Sequence, residues 1–537
     1  MPIRRFPAGL SDQKEDNNPA ILAFGRRFFS DQTSLEYLLE FLLVAMSPKR
    51  IGELEFCSPL PGFNIVSSWP KGEKLEYSPR YGLNLKLFSF FGASKIDARH
   101  KTHQDHLCRV LEDEFLSAVR SSITINKKSV IQSIENLLLG FQGVGSQRTW
   151  CAQSFIPISP GLITGESIWN ESKGAKSSNW DEALGHFNHN QHVFLARGGE
   201  LLYLQICNAL GRSKDEISSW INHSGINNCF TKAELDPEWV HEKLSLGIEN
   251  LMKGSPRGFT RLTDFIDKKI DPSTSMQTDL EPNKQFKYSS CRWSAEPSWK
   301  EGYLFAIECL RICLSNLDLM NKLKLLEIAC NMQILRSLLM QSCRLTGNPE
   351  EDVFPLYRLV ISDPDGQNVL LKNLSKASVR KAKKVVYHGI RNPEIEKALS
   401  STENLDKLYR TADNKYGYKL LITISKRLGF IVPKRGSGMR FVLNEDLLRL
   451  LVITLVPGER ITLDRFLELA EKRFGFAISG HSLREAQCWI ERSDLIEIPS
   501  DTIKWLVDML EAAGYLVQLS DSCSLVCNPA YKTMEYK

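Results

Sequence analysis

No stretch of this 537-residue chain stays apolar for long enough to cross a bilayer as a helix. The most apolar helical stretch, Tyr303 to Leu314, is interrupted by Glu308 and Arg311. Met1 to Ala20 turns polar and acidic after Arg4-Arg5 and lacks the apolar run of a secretory leader. The 13 cysteines are odd in number and contain no C-x-x-C pair, which predicts reduced thiols in a cytoplasmic protein. Gly140-x-x-Gly143-x-Gly145 is not followed by Gly-Lys-Ser/Thr, so the chain has no phosphate loop of that type. A Gly-x-Ser-x-Gly elbow, a His-Glu-x-x-His helix and the kinase motif set are also missing. The expectation is a chain with no catalytic residue, cofactor, metal or membrane partner. A nuclease centre of scattered carboxylates and one lysine would leave no such trace, and the Glu53 to Ser178 region is where it would have to lie.

What the chain does have is positive charge gathered in one place. An apolar fraction of 42% supplies ordinary globular cores, and the length suits roughly three to four domains. The net charge is only +5. Between Gly366 and Leu443, however, 17 lysines and arginines face 5 aspartates and glutamates. From Asn444 to Lys537 the balance reverses, 10 against 15. A basic module of this kind attracts phosphate by counterion release, whatever the base sequence.

Within it, Asn392 to Leu443 reads as a short helix, a helix, a longer helix and two strands around a basic turn. The last helix, about Lys415 to Leu428, puts Leu421, Ile424 and Leu428 on one face, with Tyr416, Lys419, Thr423 and Lys426 on the other. Gly429 falls where a left-handed residue ends a helix. Phe430-Ile431-Val432 and Phe441-Val442-Leu443 are strand-like, joined by a tip at Pro433-Lys434-Arg435-Gly436-Ser437-Gly438. That order is the winged-helix pattern. A second helix and hairpin follow, with Asp501 to Ala513 helical, strands at Tyr515 to Leu519 and Ser524 to Cys527, and an acidic surround. The fold class expected is mainly α with small β elements. It comprises a flexible arm (1–20), a mostly helical mixed domain (21–271), a polar linker or exposed loop (272–297), a helical bundle segment (298–365), a basic winged helix (366–443) and a second winged helix (444–537).

Elsewhere the caps are clear. Thr33 with Glu36 is a capping box opening a helix to about Met46, before Pro48. A helical pair fills Ser298 to Leu345 with a break near Asn316 to Asp318. Helices are expected at Glu445 to Leu455 and Leu463 to Phe474, the second capped by Thr462 and ended by Gly475.

Several patterns invite chemistry and have plainer readings. Lys376, Arg380, Lys381, Lys383 and Lys384 lie on a helix, Ser375 to Tyr387, with Val379, Ala382 and Val386 as its apolar stripe. Most such runs are solvated faces, but this one adjoins a basic winged helix, which favours nucleic-acid contact. His100-x-x-His103-x-x-His106 and His186-x-x-His189-x-x-His192 could share helix faces, yet no Cys or carboxylate stands at a diagnostic spacing. Arg197-Gly198-Gly199-Glu200 could hold a phosphate at a helix start, and a tight turn into a core helix explains it better. Cys309 with Cys313, and Cys523 with Cys527, suit small buried apolar positions. Glu394, Glu396 and Lys397 sit at a helix start that prefers carboxylates anyway.

Three stretches resemble segments of large subunits of multi-gene bacterial anti-phage defence systems: Phe24 to Gly52, Phe194 to Gln205 and Leu443 to Phe476. Druantia-type systems are the nearest example, with Zorya-type and BREX-type systems as neighbours. The stretches cover about a seventh of the chain. The resemblance implies a non-catalytic partner of a helicase or nuclease and transfers no functional residue. The function expected is therefore an antiviral DNA-binding and assembly subunit, holding double-stranded DNA without sequence preference. Its contacts would be Lys419, Lys426, Arg427, Lys434, Arg435 and Arg440, flanked by Lys376, Arg380, Lys383 and Lys384. The alternatives are a metal-dependent nuclease and a purely structural scaffold.

Overall fold

Caps and buried faces set where each helix begins and what it packs on. The computed structural model describes residues 4–10, 18–25, 32–79, 126–139, 156–163, 198–258, 288–347, 354–400, 404–491, 499–520 and 523–531, with a few short pieces between them. Among the described residues helix makes up 60% and strand 10%, so they are mainly helical with small sheets, as composition and periodicity predict. Both histidine triplets and most of the Glu53 to Ser178 region lie outside the described residues.

Asn18 opens α1 (Pro19–Phe24) by accepting the Ala20 N–H at 2.9 Å. Thr33 donates its N–H to Glu36 at 2.6 Å, and α2 runs Ser34–Met46, the range the capping box predicts. The end of α2 is closed by Lys49, fully buried, whose ammonium donates to the carbonyls of Val44, Ala45 and Ser47 at 3.1, 2.7 and 2.8 Å. A cation there satisfies carbonyls the helix leaves without partners. Lys49 also begins β1 (Lys49–Ile51), which pairs with β2 (Leu54–Phe56) and β3 (Leu75–Tyr77). A further strand, β4 (Ser289–Ser290), joins β3 to complete a four-stranded antiparallel sheet. Residues 288–297, the end of the polar stretch read as a linker, therefore run through the core, and Trp293 is 1% exposed.

The central layers are α3 (Gly198–Leu210), α4 (Lys214–His223), α5 (Pro237–Lys253), α6 (Trp299–Leu314) and α7 (Leu319–Thr346). Every residue of α3 is buried. It crosses α2 at Gly199, where an added Cβ would come within 2.4 Å of Glu40 and of the Phe41 nitrogen. The Gly199 N–H donates to Glu40 at 3.0 Å, and Gln32 donates to the other carboxylate oxygen at 2.7 Å. The helix start that could have held a phosphate is thus filled by the protein's own carboxylate. The break between α6 and α7 falls where expected, with Asp318 accepting the Asn321 N–H at 3.0 Å.

Although α6 is buried almost throughout, it carries charge. Glu308, fully buried, receives Arg336 of α7 at 2.7 and 3.3 Å. Glu234 binds Arg311 of α6 in a fork, at 2.7 and 2.6 Å. Arg344 forks onto Glu301 at 2.8 and 2.6 Å.

The C-terminal part contributes β5 (Leu359–Ser362), α8 (Val369–Gly389), α9 (Pro393–Ala398), α10 (Leu405–Lys415), α11 (Tyr418–Arg427), β6 (Ile431–Val432) and β7 (Arg440–Val442). It continues with α12 (Glu445–Leu455), β8 (Arg460–Thr462), α13 (Leu463–Phe474), β9 (Phe476–Ala477), α14 (Gly480–Trp489), α15 (Lys504–Ala512), β10 (Leu516–Ser520) and β11 (Cys523–Cys527). The first sheet runs β6-β7-β5-β9, with β5 parallel to both neighbours. Both faces of β5 are covered: Leu359 and Ile361 enter the main core, and Val360 enters a smaller one with Ala477 and Leu483. A doubly buried strand reads as a continuous apolar run. The second sheet, β8-β11-β10, is antiparallel throughout. Arg473, at the end of α13, reaches back into the α6 network, donating to the carbonyls of Thr454 and Leu304 at 3.0 and 3.3 Å.

One detail differs from the periodicity. The helix expected from Lys415 starts at Tyr418, because Tyr416 and Gly417 both return their N–H groups to Ala412 and end α10. Tyr416 therefore points inward, 8% exposed, rather than outward beside Lys419. Among the described residues every cysteine is a free thiol, and no helix is long and apolar enough to cross a membrane.

Two measurements test this packing. Replacing Glu308 with Ala leaves guanidinium groups buried without their carboxylate and is expected to cost about 3–5 kcal/mol. Urea unfolding checks it, and a midpoint unchanged from wild type would show that the network carries no such constraint. Burial raises the Glu40 carboxyl to about 8. The folded state then binds more protons than the unfolded one between the ordinary value of 4.5 and about 8. Stability should fall as pH rises through that window, and Glu40→Gln should flatten the dependence in thermal melts.

Candidate nucleic-acid interface

The position of the basic residues follows from how α8 is tied down. Asn368 caps the helix by accepting the Leu371 N–H at 3.0 Å. On the inner face, Ser375 accepts the Phe441 N–H at 2.8 Å, and Ser378 accepts the Val360 N–H at 3.2 Å. These bonds fix one side of α8 on β7 and β5. Gly389 closes the far end on α7, where a Cβ would come within 2.8 Å of Ser342. With that side buried, the opposite stripe turns outward: Arg380 and Lys384 are exposed, and Lys376 and Lys383 are half-buried along it.

Two neighbours extend the stripe. Lys376 lies against the hairpin between β6 and β7, its Cε 3.6 Å from where a Cβ on Gly438 would sit. The hairpin tip carries Lys434 and Arg435, both exposed, followed by Gly436 and Gly438, whose φ values of +90° and +81° suit no other residue well. At the other end, the Lys383 ammonium stands 5.4 Å from the ring of Tyr418, the first residue of α11. Lys419 follows and is exposed. The structure thus brings the α8 run, the start of α11 and the hairpin onto one side of the molecule.

Two of the expected contacts sit differently. Arg427 donates to the Ser30 carbonyl at 3.0 Å and to the Gln32 carbonyl, clamping the segment before α2 onto the end of α11. Arg440 donates to the Pro364 carbonyl at 2.6 Å and packs beside Gly366, closing the loop after β5. Lys426 is half-buried. Lys381 is drawn to Glu491, whose carboxyl it holds below the usual range, with Lys384 adding to the effect.

Sequence reasoning passed over an aromatic group beside the stripe. Tyr387, 38% exposed, lies 6.2 Å from Tyr418. Arg391 stacks on Tyr387 at 3.6 Å and on Tyr409 at 4.8 Å. Asp413 forks onto the same guanidinium at 2.9 and 2.6 Å, fixing its plane. The signal was the spacing of Tyr387 and Arg391, four apart, which brings the two side chains to one side of the helix end.

Chemically, this side can hold a polyanion and present ring faces next to it. Among the described residues nothing on it groups carboxylates and a base as a hydrolytic centre needs. Compared with protein-family models, with curated proteins and with solved structures, the chain matches none.

The clamp made by Arg427 has a consequence separate from any ligand. Arg427→Met should lower stability by about 1 kcal/mol, the net scale of an ordinary hydrogen bond, because Arg427 is exposed to solvent. Lys419→Met, altering an exposed side chain, should leave the thermal midpoint where it was. Equal midpoints for the two variants would remove the clamp from the account.

Proposed function

We propose that this protein is a DNA-binding and assembly subunit. Its outer α8 stripe, the start of α11 and the β6–β7 hairpin hold duplex DNA by its phosphates. The observation that carries the reading is the gathering of Lys376, Arg380, Lys383, Lys384, Lys419, Lys434 and Arg435 on one side of a rigidly anchored element. From Lys376 to Lys384 the stripe alone extends about 12 Å at the usual helical rise. Lysine outnumbers arginine, and among the exposed charges the α8 stripe carries a single amide side chain, Asn373, so contact is mainly to the backbone rather than to base edges.

In this reading α9, α10 and α11 with the β6–β7 hairpin form a winged helix, α11 being its third helix and the hairpin its wing. The element order supports it: three helices, then two antiparallel strands around a basic tip. The parallel β5 beside β7 is a departure from the usual antiparallel partner. The last part of the chain is read as a second winged helix, supported by the β8-β11-β10 order and by Gly514 ending α15 with φ +71°. Its surroundings are acidic, so it is assigned to protein contact. The likeness of three stretches to subunits of bacterial anti-phage systems suggests the setting, with a helicase or nuclease as the neighbour it docks.

Replacing Lys434 and Arg435 together with Glu tests the DNA-binding part, because both lie on an exposed tip and neither holds the fold. Duplex binding measured over a salt series should weaken, and its log–log slope should lose roughly 2 counterions' worth of dependence. Titrations that superimpose on wild type would reject the proposal.

A further inference from the structure

A second group of side chains lies apart from the basic stripe, in a cleft of about 530 Å³ bordered by Arg358, Glu468, Glu471, Ser479, His481 and Glu485. His481 and Glu485 are four residues apart on α14 and therefore share one face. Glu471 reaches them from α13. One ligand atom from each of Glu471, His481 and Glu485 can be chosen so that all lie within 4.8 Å of one another. This is a mixed set, one imidazole and two carboxylates, and not a patch of acidic groups alone.

The carboxylates are organised from behind. Arg358 donates to Glu485 Oε2 at 2.8 Å and stands 3.7 Å from Glu471. Its Nη1 donates to the carbonyls of Pro355 and Tyr357, at 2.5 and 3.1 Å, and its Nη2 also lies 2.8 Å from Glu485 Oε2. Arg358 is thus fixed, and it occupies one oxygen of Glu485. The other, Oε1, faces His481 Nδ1 at 3.6 Å. A hydrogen bond from a fixed guanidinium to one oxygen is the kind of support found behind metal-bound carboxylates. Two carboxylates face one arginine, and the adjacent Lys472 is spent on Glu468 and the Gly225 carbonyl, both at 2.7 Å.

We infer that Glu471, His481 and Glu485 bind one divalent transition-metal ion of the zinc class. Three protein ligands of this kind leave one or more positions open toward the cleft. The imidazole favours zinc over magnesium, which prefers oxygen ligands and keeps its waters. The inference is independent of DNA binding by the basic stripe, since it uses other residues on other helices.

The test is zinc chloride added to the full-length protein, with bound equivalents counted by equilibrium dialysis and affinity read by calorimetry. Wild type should bind one equivalent more than His481→Ala, whose side chain is 78% exposed and can be removed without disturbing the core. Glu471→Gln should lose the same equivalent or bind it at least tenfold more weakly. Any zinc held elsewhere, on other histidines or on thiols, is common to all three proteins and cancels in the comparison. Excess magnesium should not displace the ion. Equal zinc counts for wild type and both variants, or displacement by magnesium, would overturn the assignment.

Discussion

A carboxylate sealed from water must be met by cations, and in this protein that requirement falls on Glu308 in the middle of α6. Arg336 answers from α7, and Arg473 approaches from the end of α13, 3.5 Å away. Arg311, three residues further along α6, turns to Glu234. Arg311 and Arg473 also meet at a single acceptor, the Thr454 carbonyl near the end of α12, where the helix dipole is negative. The cations outnumber the anions, and burial with the nearby Arg311 depresses Arg473 to about 10. Such a network gains little net stability over an apolar core, but its members must all be present together. It obliges segments far apart in the chain to assemble around one helix.

That obligation explains why the apolar core is continuous from Ala20 to Ala530. It also explains how the basic stripe is held. The outer side of α8 is displayed because its inner side is fixed to α7, β5 and β7, which themselves rest on the central helices. The stripe is a rigid surface, so a polyanion bound there would not have to order it first. On the proposed reading, the charge contrast between this region and the acidic end of the chain would separate two roles, phosphate contact on one and docking or metal binding on the other.

Much of this was written in local signals. The capping box at Thr33, the break near Asn316 to Asp318, the cap at Thr462, and the glycines at 429 and 475 mark ends that the structure places within a few residues of expectation. The apolar run Leu359-Val360-Ile361 carried a signal for a strand covered on both faces and was passed over, because a four-residue strand is too short to stand out from its neighbours. Lys49 gave no sign of burial. Its environment is made of carbonyls from the preceding helix, which no side-chain pattern reveals.

By itself, then, the sequence determined the mainly helical class, the positions of caps and breaks, and the concentration of positive charge between Gly366 and Leu443, since each depends on residues near one another in the chain. Tertiary structure alone decided which of those charges face outward. Arg427 and Arg440 look no different in sequence from Lys434 and Arg435, yet two are spent on carbonyls of distant segments and two stand in solvent. The same holds for Glu471, His481 and Glu485, which become neighbours only when α13 packs beside α14. A partner hundreds of residues away leaves no local trace, and it is the partner that settles what a charged side chain is free to do.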